Sequence, residues 1–144
     1  LDRARLGIRK ETDMNEQEQS SFDLTKTFVH LDAAGGVERE DVDAEFWARI
    51  AARPYHGMRL VAAIPHDADS PHWEMHPAGD ELLYLLSGAT AVVLAGGAGA
   101  ERTVELRAGE AYVVPRGTWH RLAVRKPGVL LFITPGAGTE HRPR

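Results

Sequence analysis

Apolar and polar positions change rhythm once along this chain. Val42, Phe46 and Ile50 recur at every fourth position, the spacing of one apolar stripe on a helix. The pattern predicts a helix capped by Asp41 or Asp43, running to about Ala52 and stopped by Pro54. Ahead of it, Thr27, Phe28 and Val29 favour a short strand within Phe22 to Leu31, and Gly35-Gly36 breaks the chain. From Met58 the rhythm shortens. The runs Met58–Pro65, Trp73–His76, Glu81–Leu86, Thr90–Leu94, Glu101–Leu106, Ala111–Val114, Trp119–Val124 and Val129–Thr134 follow one another between Gly, Pro and Asp. Short strands separated by turn residues predict an antiparallel sandwich or barrel. Leu82 to Leu86 is apolar on both strand faces, so one face lines an interior and the other meets a second layer or a partner subunit.

These patterns divide the chain into a disordered leader (1–21), an N-terminal strand and helix extension (22–57), an all-β barrel (58–135) and a flexible tail (136–144). The leader carries Glu11, Asp13, Glu16 and Glu18 with few apolar anchors, too little apolar burial to offset ordering entropy.

Composition narrows the chemistry. The 144 residues include no cysteine, which excludes disulfides, thiolate metal sites and thiol nucleophiles. The net charge is −4 with histidine neutral, so nucleic acid is not an expected partner. No stretch is long and apolar enough to span a bilayer, and the start lacks the apolar run of a secretory signal. A cytoplasmic protein is the expectation.

Chemistry concentrates in two segments, His72 to Gly88 and Gly109 to His120. Residues two apart on a strand share a face, so Glu74 and His76 project together. A turn at Pro77 to Asp80 returns the chain with Glu81 beside His76, and a third strand can bring His120 alongside. Two imidazoles and two carboxylates suit one divalent transition metal: Fe, Mn, Ni, Zn or Cu. His72 shares the parity of Glu74 and is an alternative ligand if a bulge intervenes. Parity from Glu81 puts Leu83 and Leu85 inside, and parity from His120 does the same for Leu122 and Val124. Trp73 and Trp119 have the opposite parity and pack outside. His30, His56, His66 and His141 are expected to be solvated or hydrogen-bonded at a rim. Tyr55 and His56 are candidates for closing a barrel mouth. Gly96-Gly97-Ala98-Gly99 lacks the helix that a phosphate cradle needs, and reads as a hairpin loop. Ser70 and Ser87 sit in no nucleophile motif.

The two segments resemble the paired motifs of the cupin superfamily. His76, Glu81 and Gly88 match the first motif with its spacing. Gly109, Pro115, Gly117 and His120 match the second. Two positions depart from the pattern: Glu74 stands where the first motif has its leading His, and Val124 where the second has Asn. The resemblance covers about Met58 to Pro135. It implies a double-stranded β-helix, or jelly roll, and the apolar stripe of the short N-terminal helix packs that helix against its outside. It also implies a metal held by His76, Glu81 and His120, and it favours a homodimer. Three roles for Glu74 follow: a fourth ligand, a general base beside a three-ligand metal, or a residue of a metal-free shell.

Cupins host many functions. The expected function is metal-dependent action on a small oxygen-containing organic molecule, as an oxygenase, isomerase or lyase. The alternative is a non-catalytic ligand-binding or sensor module. Beyond the ligands, His72, Tyr84 and Tyr112 are the further titratable candidates, too few to settle whether the chain is an enzyme.

Overall fold

The computed structural model describes residues 20–53 and 57–144. The expected leader up to residue 19, and Pro54, Tyr55 and His56, lie outside the described residues. The described residues form nine strands: β1 (Thr27–Leu31), β2 (Val37–Asp41), β3 (Arg59–His66), β4 (His72–Met75), β5 (Glu81–Ala95), β6 (Glu101–Arg107), β7 (Ala111–Val114), β8 (His120–Thr134) and β9 (Glu140–Pro143). Among the described residues one α-helix, α1 (Phe46–Ala52), lies between β2 and β3. Among the described residues no helix is long and apolar enough to cross a membrane.

All strand pairs among the described residues are antiparallel. One path runs β2-β1-β3-β8-β4-β9, and β5 joins it through β8 while also pairing β6 and β7. The fold is the expected all-β jelly roll with a short helix beside it.

Two predicted pairs of strands turn out to be single long strands. β5 unites Glu81–Leu86 with Thr90–Leu94, and β8 unites the Trp119 and Val129 runs. Their ladder changes register between Leu85 and Thr90. Glycine makes this bend possible. Gly88 has φ of 85°, and a side chain there would strike the carbonyls of Lys126 and Pro127. A side chain at Gly128 would strike the Ser87 backbone. Two strands without side chains at the crossing can bend together and continue around the barrel.

The interior follows the predicted parity. Leu83 and Leu85 are buried with Val92, Leu94, Leu106, Val114 and Leu130, and Leu122 packs against them half-buried. A second cluster joins Phe28, Phe46, Leu60 and Ala62 and attaches the extension to the barrel. Phe28 and Phe46 meet edge to face at 5.0 Å, an arrangement aromatic quadrupoles favour.

The helix begins later than the stripe predicted. Asp43 spends its carboxylate on the Glu45 amide and on Arg49, so Val42 precedes the helix while still packing with Phe46 and Ile50. It ends at Ala52, with Arg53 extended, the conformation imposed on a residue before proline. β2 had no apolar signal of its own, since Val37-Glu38-Arg39-Glu40-Asp41 is mostly charged. It forms by pairing with β1. Its Glu40 accepts from His30 Nε2 at 2.8 Å and from Arg49 Nε at 3.0 Å, which fixes the helix to the sheet. Burial raises the Glu40 pKa, but these donors outweigh it and hold the group below the usual range.

Candidate metal centre

The two segments meet through backbone locks. Gly117, at φ of 73°, closes the turn after Pro115. Its amide donates to the His76 carbonyl at 3.0 Å. The Arg116 amide donates to Asp80 Oδ1 at 2.8 Å, and the Arg116 guanidinium to the Ala78 carbonyl at 3.0 Å. The loop after β4 and the turn before β8 therefore hold each other, and both deliver their donors to one place. Glu74 pairs with His120 across β4 and β8. Glu81 opens β5, and its Oε1 accepts from Thr134 Oγ1 at 2.5 Å.

Glu74, His76, Glu81 and His120 each bring one donor atom, all within 4.8 Å of one another. His120 Nε2 lies 2.9 Å from Glu81 Oε2, and His76 Nε2 lies 3.1 Å from Glu74 Oε1 and 3.4 Å from Glu81 Oε1. Neighbouring ligands around one ion with bonds of about 2.1 Å stand roughly 3 Å apart, so these separations fit a common cation. His76, Glu81 and His120 are buried, and Glu74 is half-buried.

The tautomers can be read from the outer hydrogen bonds. His120 Nδ1 is 3.0 Å from the Thr118 carbonyl, which can only accept, so Nδ1 carries a proton. His76 Nδ1 is 2.9 Å from Thr139 Oγ1, and that hydroxyl already donates to the Gly136 carbonyl. His76 Nδ1 must donate as well. In the neutral rings both Nε2 lone pairs then face inward, toward two carboxylates. His76 Nε2 and Glu81 Oε2 are buried without a hydrogen-bond partner. Such orphaned atoms are costly unless a proton or a metal ion between the facing groups satisfies them.

Electrostatics agree. Burial works against ionised Glu81, yet the facing imidazoles of His120 and His76 outweigh it and hold its pKa at about 2. Burial also opposes charge on His76, but Glu74 and Glu81 raise it to about 9. Burial raises Glu74 too, and His76 with His141 brings it below the usual carboxylate range. Two carboxylates held in the ionised form thus face the imidazoles at the centre, the charge that a cation would offset.

A cavity of about 770 Å³ opens at the cluster, lined by aliphatic side chains such as Ile64, Leu83, Leu122 and Leu130, with Phe132. The helix and the segment Gly136–Thr139 also reach its wall. Tyr84 and Tyr112 do not line it; Tyr112 accepts from Arg102 at the surface.

Several residues of the site escaped the sequence reading. The tail expected to be flexible forms β9 on β4 and brings His141 Nε2 to Glu74 Oε2 at 2.8 Å. Its anchor is Arg142, whose guanidinium sits 4.5 Å from the Trp119 ring centre and 5.4 Å from that of Trp73. Those tryptophans pack outside the barrel, as their parity predicted, and stack on arginine there. Thr139 and His141 had no signal, because the Gly136-to-Arg144 composition reads as loop. Thr134 did have one: it shares parity with Leu130. His72 is half-buried and touches the His141 ring at 4.3 Å rather than entering the cluster. His30 and His66 are not solvated but buried. Each has a partner, Glu40 for His30 and, for His66, Thr90 at 2.8 Å. Thr90 Oγ1 donates to the Ala123 carbonyl, so it accepts from His66, whose pKa burial lowers.

Solved structures similar to this chain include oxalate decarboxylase from Bacillus subtilis, at 20% identity and a TM-score of 0.48 over 58% of this chain and 23% of that one. A formate complex of Lactobacillus farciminis oxalate decarboxylase gives 20% and 0.48, covering 58% and 26%. An oxalate oxidase gives 19% and 0.45, covering 57% and 44%. The chain thus spans less than half the length of each. No curated protein matches the sequence significantly. The family model for the cupin domain matches residues 60–134, slightly more than half of the chain. That span holds the bent β5–β8 ladder and both motifs, and the chain belongs to the cupin family.

Proposed function

We propose that Glu74, His76, Glu81 and His120 hold one divalent transition metal, and that the adjoining cavity admits a small organic molecule bearing an oxygen donor. The observation that carries this reading is the pair of orphaned buried atoms, His76 Nε2 and Glu81 Oε2, inside a ring of four donors. A cavity of about 770 Å³ falls in the usual range for such ligands. Borderline nitrogen and hard oxygen donors in equal number suit Fe, Mn, Ni, Zn or Cu. Such an ion supplies Lewis acidity, or redox chemistry if it is iron or copper. The chain's residues do the rest: His120 and His76 are locked in one tautomer, Glu81 neutralises charge, and the aliphatic wall excludes water.

The reaction classes that fit are oxygenase, isomerase and lyase. A second reading is capture of a ligand without turnover, which the apolar stretch of the wall around Ile64, Leu83, Leu122 and Leu130 also supports. In either case the reading is of a cytoplasmic homodimer.

Elemental analysis of untagged protein tests the proposal. About one transition-metal ion per chain is expected, lost in Glu81→Ala and His120→Ala and weakened in Glu74→Ala. Full metal content in Glu74→Ala would restrict the ligand set to three and leave Glu74 as a base. Protein that takes up no transition metal when supplied with it would end the proposal.

A further inference from the structure

Outside the central ring, a second set of donors converges on the same carboxylate. His72, Glu74 and His141 each present one ligand atom, and all lie within 4.8 Å of one another. The strands account for this. His72 and Glu74 share a face of β4, and His141 is the direct partner of Glu74 on β9. The His72 and His141 rings are in contact at 4.3 Å, nearly perpendicular. The two oxygens of Glu74 point different ways: Oε1 toward His76 Nε2 at 3.1 Å and Oε2 toward His141 Nε2 at 2.8 Å.

We propose that His72, Glu74 and His141 form a second divalent-cation site at the rim of the cavity, with Glu74 bridging it to the central ion. The inference rests on Glu74 being a ligand of the centre. The ligand class is a borderline ion such as Zn(II), Cu(II) or Ni(II), because two imidazoles and one carboxylate oxygen make a nitrogen-rich set. A 2.8 Å separation of His141 Nε2 and Glu74 Oε2 fits neighbouring ligands on one ion with bonds of about 2.0 Å. The ion takes the place of the proton now between them, which the neutral imidazole then carries on Nδ1. The rim is open: the His141 side chain is 49% exposed and that of Glu74 35%. Entry and exit are therefore faster there than at the centre. A carboxylate bridge sets two ions about 4 Å apart, as in two-metal sites.

The test is equilibrium dialysis of the full chain against excess Zn(II), followed by elemental analysis, with Cu(II) loading read by electron paramagnetic resonance. The wild type is expected to hold two ions and to show a half-field copper–copper signal. The rim double variant His72→Ala with His141→Ala is expected to keep one ion and lose that signal, with an unchanged circular dichroism spectrum. His120→Ala is expected to lose the signal as well. One ion in the wild type, retained in the double variant and lost with His120→Ala, would overturn the rim site while leaving the centre intact. One ion lost only in the double variant would overturn the centre, and the bridge with it. Two ions without a half-field signal would overturn the bridge.

Discussion

A hydroxyl that is already donating has only one thing left to offer, and Thr139 offers it to His76. Its Oγ1 donates to the Gly136 carbonyl and accepts from His76 Nδ1, so a single threonine fixes which imidazole nitrogen faces the centre. Thr139→Val keeps the size and removes the acceptor. Apparent metal affinity is expected to fall about 10–100-fold, measured by competition with a chromophoric chelator, while the circular dichroism spectrum stays the same. Unchanged affinity would remove Thr139 from the site. The same imidazole sets a pH dependence. With its pKa raised to about 9, His76 contributes stability to the metal-free protein that is complete below its ordinary value of 6.5. That contribution is lost as pH climbs through about 9. A metal ion must displace this proton, so affinity runs the other way. It is expected to gain about tenfold per pH unit from about pH 6 and to level off near 9. Glu81, held at about 2, stays ionised throughout and adds no slope. Calorimetric titrations in buffers of different ionisation heat check the proton release; a flat profile between about pH 6 and 8 would count against His76 as a ligand.

Among the elements, β5 and β8 carry the architecture, and their crossing depends on two glycines. Gly128 does not have a left-handed backbone; its constraint is the Ser87 backbone against it. Gly128→Ala is expected to cost about 3 kcal/mol through forced separation of the strands, a fall of roughly 10 °C in Tm by calorimetry. An unchanged Tm would mean that the ladder can part there without loss. Gly88 was legible as a motif glycine, whereas the role of Gly128 was not. A sequence records that a turn residue is present, not which strand will lie against it. The same distinction runs through the site. Glu74, His76, Glu81 and His120 could be placed from strand parity and motif spacing, because each lies in a short segment that sets its own direction. Thr139 and His141 could not, since the strand that carries His141, and the turn just before it that carries Thr139, are set by the pairing of β9 with β4 and the stacking of Arg142 on two tryptophans. β2, mostly charged and formed by pairing with β1, was hidden for the same reason.

Across the whole molecule, the ladder of β5 and β8 begins near Glu81 and Thr134 and finishes at Leu94 and His120. Those ends are far apart in sequence, yet Thr134 and His120 both reach the Glu81 carboxylate, at 2.5 Å and 2.9 Å. The strand pair is wound round until its head and its foot share one side chain. An ion seated on Glu81 would therefore act as a clasp on a hoop, and opening the clasp should slacken the hoop at its most bent part rather than at the clasp. Stripping metal with a chelator is expected to speed hydrogen exchange at the amides of Lys126, Gly128 and Val129, in step with those beside His120. Exchange that quickens beside His120 alone would show that the barrel keeps its curvature without help from its centre.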